Sequence, residues 1–171
     1  MHPMGAAVAG QALFAILATS ACGAGSNAAP PAAPAPERVL TVVAEEPPPV
    51  AAGAKGTLAV VVHISGEFHI MSNDPSMPTH VPTSVEITPA PLAGITFDTP
   101  GYPPPVPFHL EGVEIRTFQG DTSMKVPFSV ATDAKPGLRT LPGRVHYQAC
   151  TTTRCLSPRD ENFVASVRVA R

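Results

Sequence analysis

The sequence predicts an all-β chain folded as an immunoglobulin-like antiparallel β-sandwich, and three observations carry that prediction. From Thr57 onward, apolar and polar residues alternate with period two, the signature of strands that bury one face. Pro and Gly punctuate the intervals, as in TPGYPPPVP (99–107) and AKPGLRTLPG (134–143), so the strands are short and regularly broken. No stretch after residue 55 carries a helical stripe. Short strands at this spacing, each with one apolar face, pack as two facing sheets.

Taken in chain order, the first 36 residues contain no Lys, Arg, Asp or Glu. Within them AGQALFAILATSAC (9–22) is an apolar core running into small residues, the layout of an export signal. It is shorter than the roughly 20 residues a bilayer span needs. Ser20 and Ala21 ahead of Cys22 resemble the bacterial lipobox, with Thr19 where Leu or Val is usual and only His2 to carry charge before the apolar core. Residues 1–21 are therefore expected to be a signal peptide, and Cys22 the lipidated first residue of an exported protein. That places the chain in the periplasm or cell envelope, touching membrane only through a lipid at Cys22, in an oxidising compartment where disulfides persist. GAGSNAAPPAAPAPE (23–37) cannot bury enough surface to offset chain entropy. With EEPPPVAAGAKG (45–56) it makes residues 22–52 read as a Pro/Ala-rich tether, interrupted by a possible short strand from Arg38 to Ala44. The folded domain is expected over residues 53–171.

In that domain Leu58, Val60, Val62 and Ile64 form one strand face, followed by Val85 and Ile87, then Val113 and Ile115. Met124, Val126, Phe128 and Val130 form the next, and Phe163, Ala165, Val167 and Val169 the last. Residues Arg144 to Cys150 also alternate: Val145, Tyr147 and Ala149 face the core, while Arg144, His146, Gln148 and Cys150 face the other way.

The formal charge of −2 over 171 residues provides no basic stripe for phosphate neutralisation, so nucleic acid is not an expected partner. Of the three cysteines, Cys22 stands apart, and Cys150 and Cys155 lie together in HYQACTTTRCLSP (146–158). Their spacing suits a hairpin disulfide on a solvent-facing loop. So short a loop removes less unfolded-state entropy than the roughly 3 kcal/mol of a 15-residue loop, whereas an exposed disulfide is open to attack by a thiolate. On the residues alone, an inert staple and a redox pair both stand. Arg154, beside Cys155, could lower a thiol pKa. His146 lies about 13 Å from Cys150 along an extended strand and reads as a solvated strand histidine.

VHYQACTTTRCLSP (145–158) resembles the signature of the N-terminal periplasmic domain of the thiol:disulfide interchange protein DsbD, in which Tyr-Gln-x-Cys leads through a short polar loop to Cys-Leu-x-Pro. GEFHIMSNDP, TSVEITP, FDTPGYPPP and KVPFSV follow that domain's order and spacing, so the resemblance spans roughly residues 53–171. It implies an immunoglobulin-like fold whose cysteines, here Cys150 and Cys155, cycle between disulfide and dithiol without a cofactor. Cys155 would form the mixed disulfide with the partner. Tyr147 and Gln148 match the motif, Gln148 being placed to hydrogen-bond near the sulfur, and His69 and Met71 line the region beneath the cysteines. A cap loop, YPPPVPFHLEG (102–112), would cover the pair with Phe108 as its lid. The implied partners are thioredoxin-like redox proteins and a membrane electron-transfer protein. The implied activity is that of a protein-disulfide reductase or interchange component, made as a separate, lipid-anchored module. Cytochrome c biogenesis, disulfide-isomerase recycling and metal-site reduction are all compatible outlets.

A second constellation competes. FHIMSNDPSMPTH (68–80) gathers His69, Met71, Met77 and His80, whose imidazole and thioether groups suit copper, Met favouring Cu(I). The alternative expectation is thus a copper-binding envelope lipoprotein in which Cys150–Cys155 is structural. Nucleophile elbow, phosphate loop and zinc-ligand spacing are all missing from the sequence.

Overall fold

A computed structural model describes residues 38–88 and 93–171. The described residues form eleven strands and no helix: β1 (Leu40–Glu45), β2 (Lys55–Ile64), β3 (His69–Met71), β4 (Ser84–Ile87), β5 (Ile95–Phe97), β6 (Val106–Leu110), β7 (Val113–Phe118), β8 (Asp121–Val130), β9 (Gly137–Tyr147), β10 (Ala149–Cys150) and β11 (Arg159–Val169). They pair into three antiparallel sheets with orders β1-β2-β8-β5, β11-β9-β4 and β10-β3-β7-β6. The fold is an immunoglobulin-like antiparallel sandwich.

The alternation read from the sequence becomes the core. Leu58, Val60 and Val62 of β2 and Met124, Val126 and Phe128 of β8 face Leu141 and Val145 of β9 and Ala165 and Val167 of β11, in one continuous buried cluster. The third sheet closes one end of this cluster through Ile70, Phe118 and Ala149. Each CH₂ so buried contributes about 0.8 kcal/mol, and the long strands β2, β8, β9 and β11, of 10, 10, 11 and 11 residues, carry most of it.

Two cross-strand pairs show why glycine occurs inside these ladders. Gly56 lies opposite Phe128 and Gly143 opposite Phe163. A Cβ on either glycine would come within 2.4 Å of the facing ring's Cζ, so each aromatic lies over bare backbone.

Pro127 and Pro142 run within β8 and β9, where a proline ordinarily interrupts the ladder. Pro142 C=O accepts from Thr88 N–H and Pro127 C=O from Asp98 N–H, each one residue beyond the end of a short edge strand, β4 or β5. N and C=O of one strand residue point the same way, so the missing N–H faces the position where the neighbouring strand has already stopped.

The expected tether runs too far. β1 pairs with β2 from Leu40↔Ile64 to Glu45↔Ala59, Val39 and Leu40 are 2% exposed, and Val50 bridges Val169. Residues 40–52, compositionally proline-rich, are therefore part of the sandwich, because alternating Leu40, Val42 and Ala44 supply a face that β2 can use. The expected signal peptide and the expected lipidation site, Cys22, lie outside the described residues.

Candidate redox site

At Tyr147 the chain changes sheets. β9 ends with Tyr147 3% exposed in the main core, Gln148 makes the crossing, and β10 pairs with β3 through Ala149↔Ile70 and Cys150↔His69. The polar run 151–154 then turns, Thr151 N–H donating to Arg154 C=O at 2.8 Å and Leu156 N–H to Ala149 C=O at 2.7 Å. This brings Cys155 back against Cys150 as an antiparallel bridge, and the two form a disulfide with Cα atoms 4.0 Å apart.

The two sulfurs stand in different surroundings. Cys150 is 0% exposed and packs with Met71 and Ile115 on the outward face of β10-β3-β7-β6. Cys155 is exposed. The expectation of a solvent-facing disulfide thus holds for one half of the bond and is corrected for the other. The cause is the β6–β7 hairpin, whose Phe108 and Leu110 cover the Met71–Ile115–Cys150 cluster. Its tight turn, Glu111-Gly112, takes φ of 50° and 81°, the left-handed pair that matches strand twist in a two-residue hairpin; glycine supplies the second at little steric cost. Phe108 stacks on the His69 imidazole with ring centroids 3.8 Å apart. His69 Nδ1 is buried with no hydrogen-bond partner.

The segment between β3 and β4 folds over the same face and is pinned along its length. Thr83 Oγ1 donates to Met71 C=O, Arg116 pairs with Asp74 at 3.0 Å, and Arg116 N–H donates to Ser76 Oγ at 3.0 Å. Gln148 serves this scaffold and not the sulfur: its Oε1 accepts from Val81 N–H at 2.9 Å and its Nε2 donates to Leu156 C=O at 3.4 Å. Backbone groups left unpaired at a sheet change took the amide that the sequence assigned to the cysteines.

His69, Met71, Met77 and His80 are divided among different surroundings. Met71 is 0% exposed under Ile115. His69 opens on a hollow shared with Gly66, Glu67, Thr151, Thr152, Thr153 and Arg154, while Met77 and His80 line a different one with Leu110, Val113 and Ile115. Among the described residues, no group of three or more His, Cys, Asp and Glu is arranged to hold a metal ion. Arg154 lies beside Cys155 at the rim of the His69 hollow. His146 is on the opposed sheet, its Nδ1 2.6 Å from Asp160 in a surface row that also joins Arg144 to Glu86 at 2.8 Å. The Glu86 carboxylate holds the Arg144 guanidinium above its ordinary pKa, and burial pushes the Tyr147 hydroxyl up. Ile115 and Leu110, which complete the wall around Cys150, were read from the sequence only as strand and loop positions; the Leu-Glu-Gly-Val turn was the available signal.

A family model described as thiol:disulfide interchange protein DsbD, N-terminal, matches residues 27–166. Among solved structures, the N-terminal periplasmic domain of ScsB from Proteus mirabilis is 11% identical with a TM-score of 0.47, covering 72% of this chain. This chain spans 44% of the ScsB chain. The Neisseria meningitidis DsbD N-terminal domain in its reduced form is 15% identical with a TM-score of 0.43, over 70% of this chain and 86% of that one. No curated protein matches. With 27–166 of its 171 residues inside the family model, this chain belongs to the family of DsbD N-terminal domains.

Proposed function

We propose that this domain carries electrons in the periplasm or cell envelope by thiol–disulfide exchange through Cys150 and Cys155. The observation that supports this reading best is the asymmetry of the bond: Cys155 is exposed and Cys150 is 0% exposed. On this reading an incoming thiolate approaches Cys155 and not the covered Cys150, which gives the exchange a defined order. The thiolate of a reduced thioredoxin-like partner attacks Cys155 Sγ, the Cys150–Cys155 bond breaks, and its electron pair leaves on Cys150 Sγ. The partner's second thiolate then attacks its own sulfur in the mixed disulfide, releasing Cys155 as a thiolate. The partner leaves as a disulfide and this domain as a dithiol, which reduces an envelope client by the same steps reversed. The partner supplies the low-pKa thiolate, and Arg154 favours the thiolate of Cys155.

Phe108 acts as the lid in this reading: with Leu110 it covers the cluster around Cys150, and a docking partner lifts it. Tyr147 and Gln148 hold the strand crossing that sets the cysteines in place. Cys22 anchors the protein to a membrane through lipid, and a membrane electron-transfer protein is the upstream donor.

The deciding measurement is the reduction potential of the Cys150–Cys155 pair, by equilibration with glutathione or dithiothreitol and thiol labelling. A value between about −120 and −270 mV, the span of exchanging dithiols, is expected; one below about −300 mV, where structural disulfides lie, overturns the proposal. Cys150→Ser should in addition accumulate a mixed disulfide on Cys155.

A further inference from the structure

Exchange on Cys155 leaves a difficulty at Cys150. The leaving sulfur would bear a full negative charge among Met71, Ile115, Phe108 and Leu110, where desolvation opposes any thiolate. The residue directly opposite Cys150 in the β10–β3 register is His69, and side chains so opposed have Cβ atoms about 4.5–5.5 Å apart. Its Nδ1 is buried without a partner, an arrangement that native structures seldom keep without a use for it. The same imidazole lines the open hollow beside the 151–154 turn, so protons from solvent reach the ring. Phe108 stacks on it at 3.8 Å, and an aromatic face favours a cation.

We propose that His69 is the proton donor to Cys150, an inference that rests on the exchange reading above. As the incoming thiolate bonds to Cys155 Sγ and the disulfide breaks, the electron pair on Cys150 Sγ takes the Nδ1 proton of the His69 imidazolium. Cys150 becomes a neutral buried thiol and His69 a neutral imidazole, whose Nδ1 regains a proton from solvent once the Phe108 lid over the cluster is lifted. When Cys150 later attacks, His69 takes the proton back. The other titratable groups facing His69 are Glu67 and Arg154 in the same hollow. On the β6–β7 hairpin, Glu111 occupies the turn, and His109 and Glu114 pair with each other at 3.8 Å.

The test is the rate of reduction of the full chain by dithiothreitol between pH 5 and 9, divided by the concentration of dithiothreitol thiolate. For the native protein this normalised rate should fall as pH rises, because the proton on His69 is drawn from solvent. His69→Gln and His69→Phe should flatten the profile and slow the reaction at the acid end by about 100-fold, the lower end of what a positioned proton donor supplies. A flat profile in the native protein, or variant profiles superimposable on it, overturns the role of His69 while leaving exchange through the cysteines standing. A native disulfide whose potential lies with structural bonds overturns the exchange reading itself.

Discussion

The long-stranded sheets and the short one that holds the cysteines differ in what secures them. β2, β8, β9 and β11 run for 10 or 11 residues, pair without interruption and bury one face each in a common core. β3 and β10 have 3 and 2 residues. They are secured from both sides, with Ile70, Phe118 and Ala149 turned inward and Met71, Ile115 and Cys150 turned outward under the β6–β7 hairpin. The difference teaches that stability and reactivity are housed apart. In the proposed exchange, the bond that is opened and remade lies where few ladder hydrogen bonds are at stake, beside strands that carry the main core.

Substitutions can sharpen or break that division. The largest effect is expected from Cys155→Ser, which removes the exposed sulfur: exchange with dithiothreitol should fall to background, while urea unfolding shifts by less than about 3 kcal/mol, given so short a loop. The reverse behaviour is expected of Phe128→Ala. Its ring is 0% exposed, and its loss should cost about 3–5 kcal/mol in urea unfolding while the folded fraction exchanges thiols normally. A smaller loss, about 1–3 kcal/mol, is expected for Gly143→Ala, whose new methyl would lie 2.4 Å from Phe163 Cζ; an unchanged midpoint would mean that the Phe163 ring yields freely.

The smallest effect concerns Tyr102, whose hydroxyl accepts from Val85 N–H at 3.2 Å. Burial, with a lesser contribution from Glu86, raises its pKa above the ordinary 10.0. The folded chain therefore keeps a proton that the unfolded chain releases first. The stability this gives is complete below the unfolded value and is lost as pH climbs toward the folded one. Tyr102→Phe should make the alkaline loss of stability shallower, with Tyr147 keeping part of the slope, and should change the unfolding free energy near pH 7 by only about 1 kcal/mol.

How far the sequence could be read follows the same division. Period-two alternation located β2, β8 and β11 because their side chains answer to one large core. β5 and β6 escaped it, being 3 and 5 residues long with prolines beside or within them. The first half of β9 was hidden by Pro136, Gly137, Pro142 and Gly143, which read as punctuation until the ends of the neighbouring strands and the Phe163 ring account for two of them. Spacing and motif drew attention to Cys150 and Cys155, but the burial of Cys150 depends on Phe108 and Leu110 in a hairpin far upstream. The opposition of Cys150 and His69 is a fact of register between distant strands, and no local pattern encodes it. The Gln148 amide was assigned to sulfur because its unpaired backbone neighbours exist only once the chain changes sheets.

One feature of the cysteine turn bears on time. The hydrogen bonds from Thr151 to Arg154, from Leu156 to Ala149 and from Gln148 to Leu156 do not pass through sulfur, so reduction leaves the two thiols facing each other. Cys150 is then present at Cys155 at an effective concentration far above that of any thiol in solution. In the proposed exchange, a mixed disulfide between Cys155 and a client is short-lived for that reason: once Cys150 has given up its proton it is the nearest nucleophile, and the complex is cut from within before a stray thiol arrives. Discrimination among partners must therefore be completed during docking, because after the sulfurs have joined, the hairpin sets the clock.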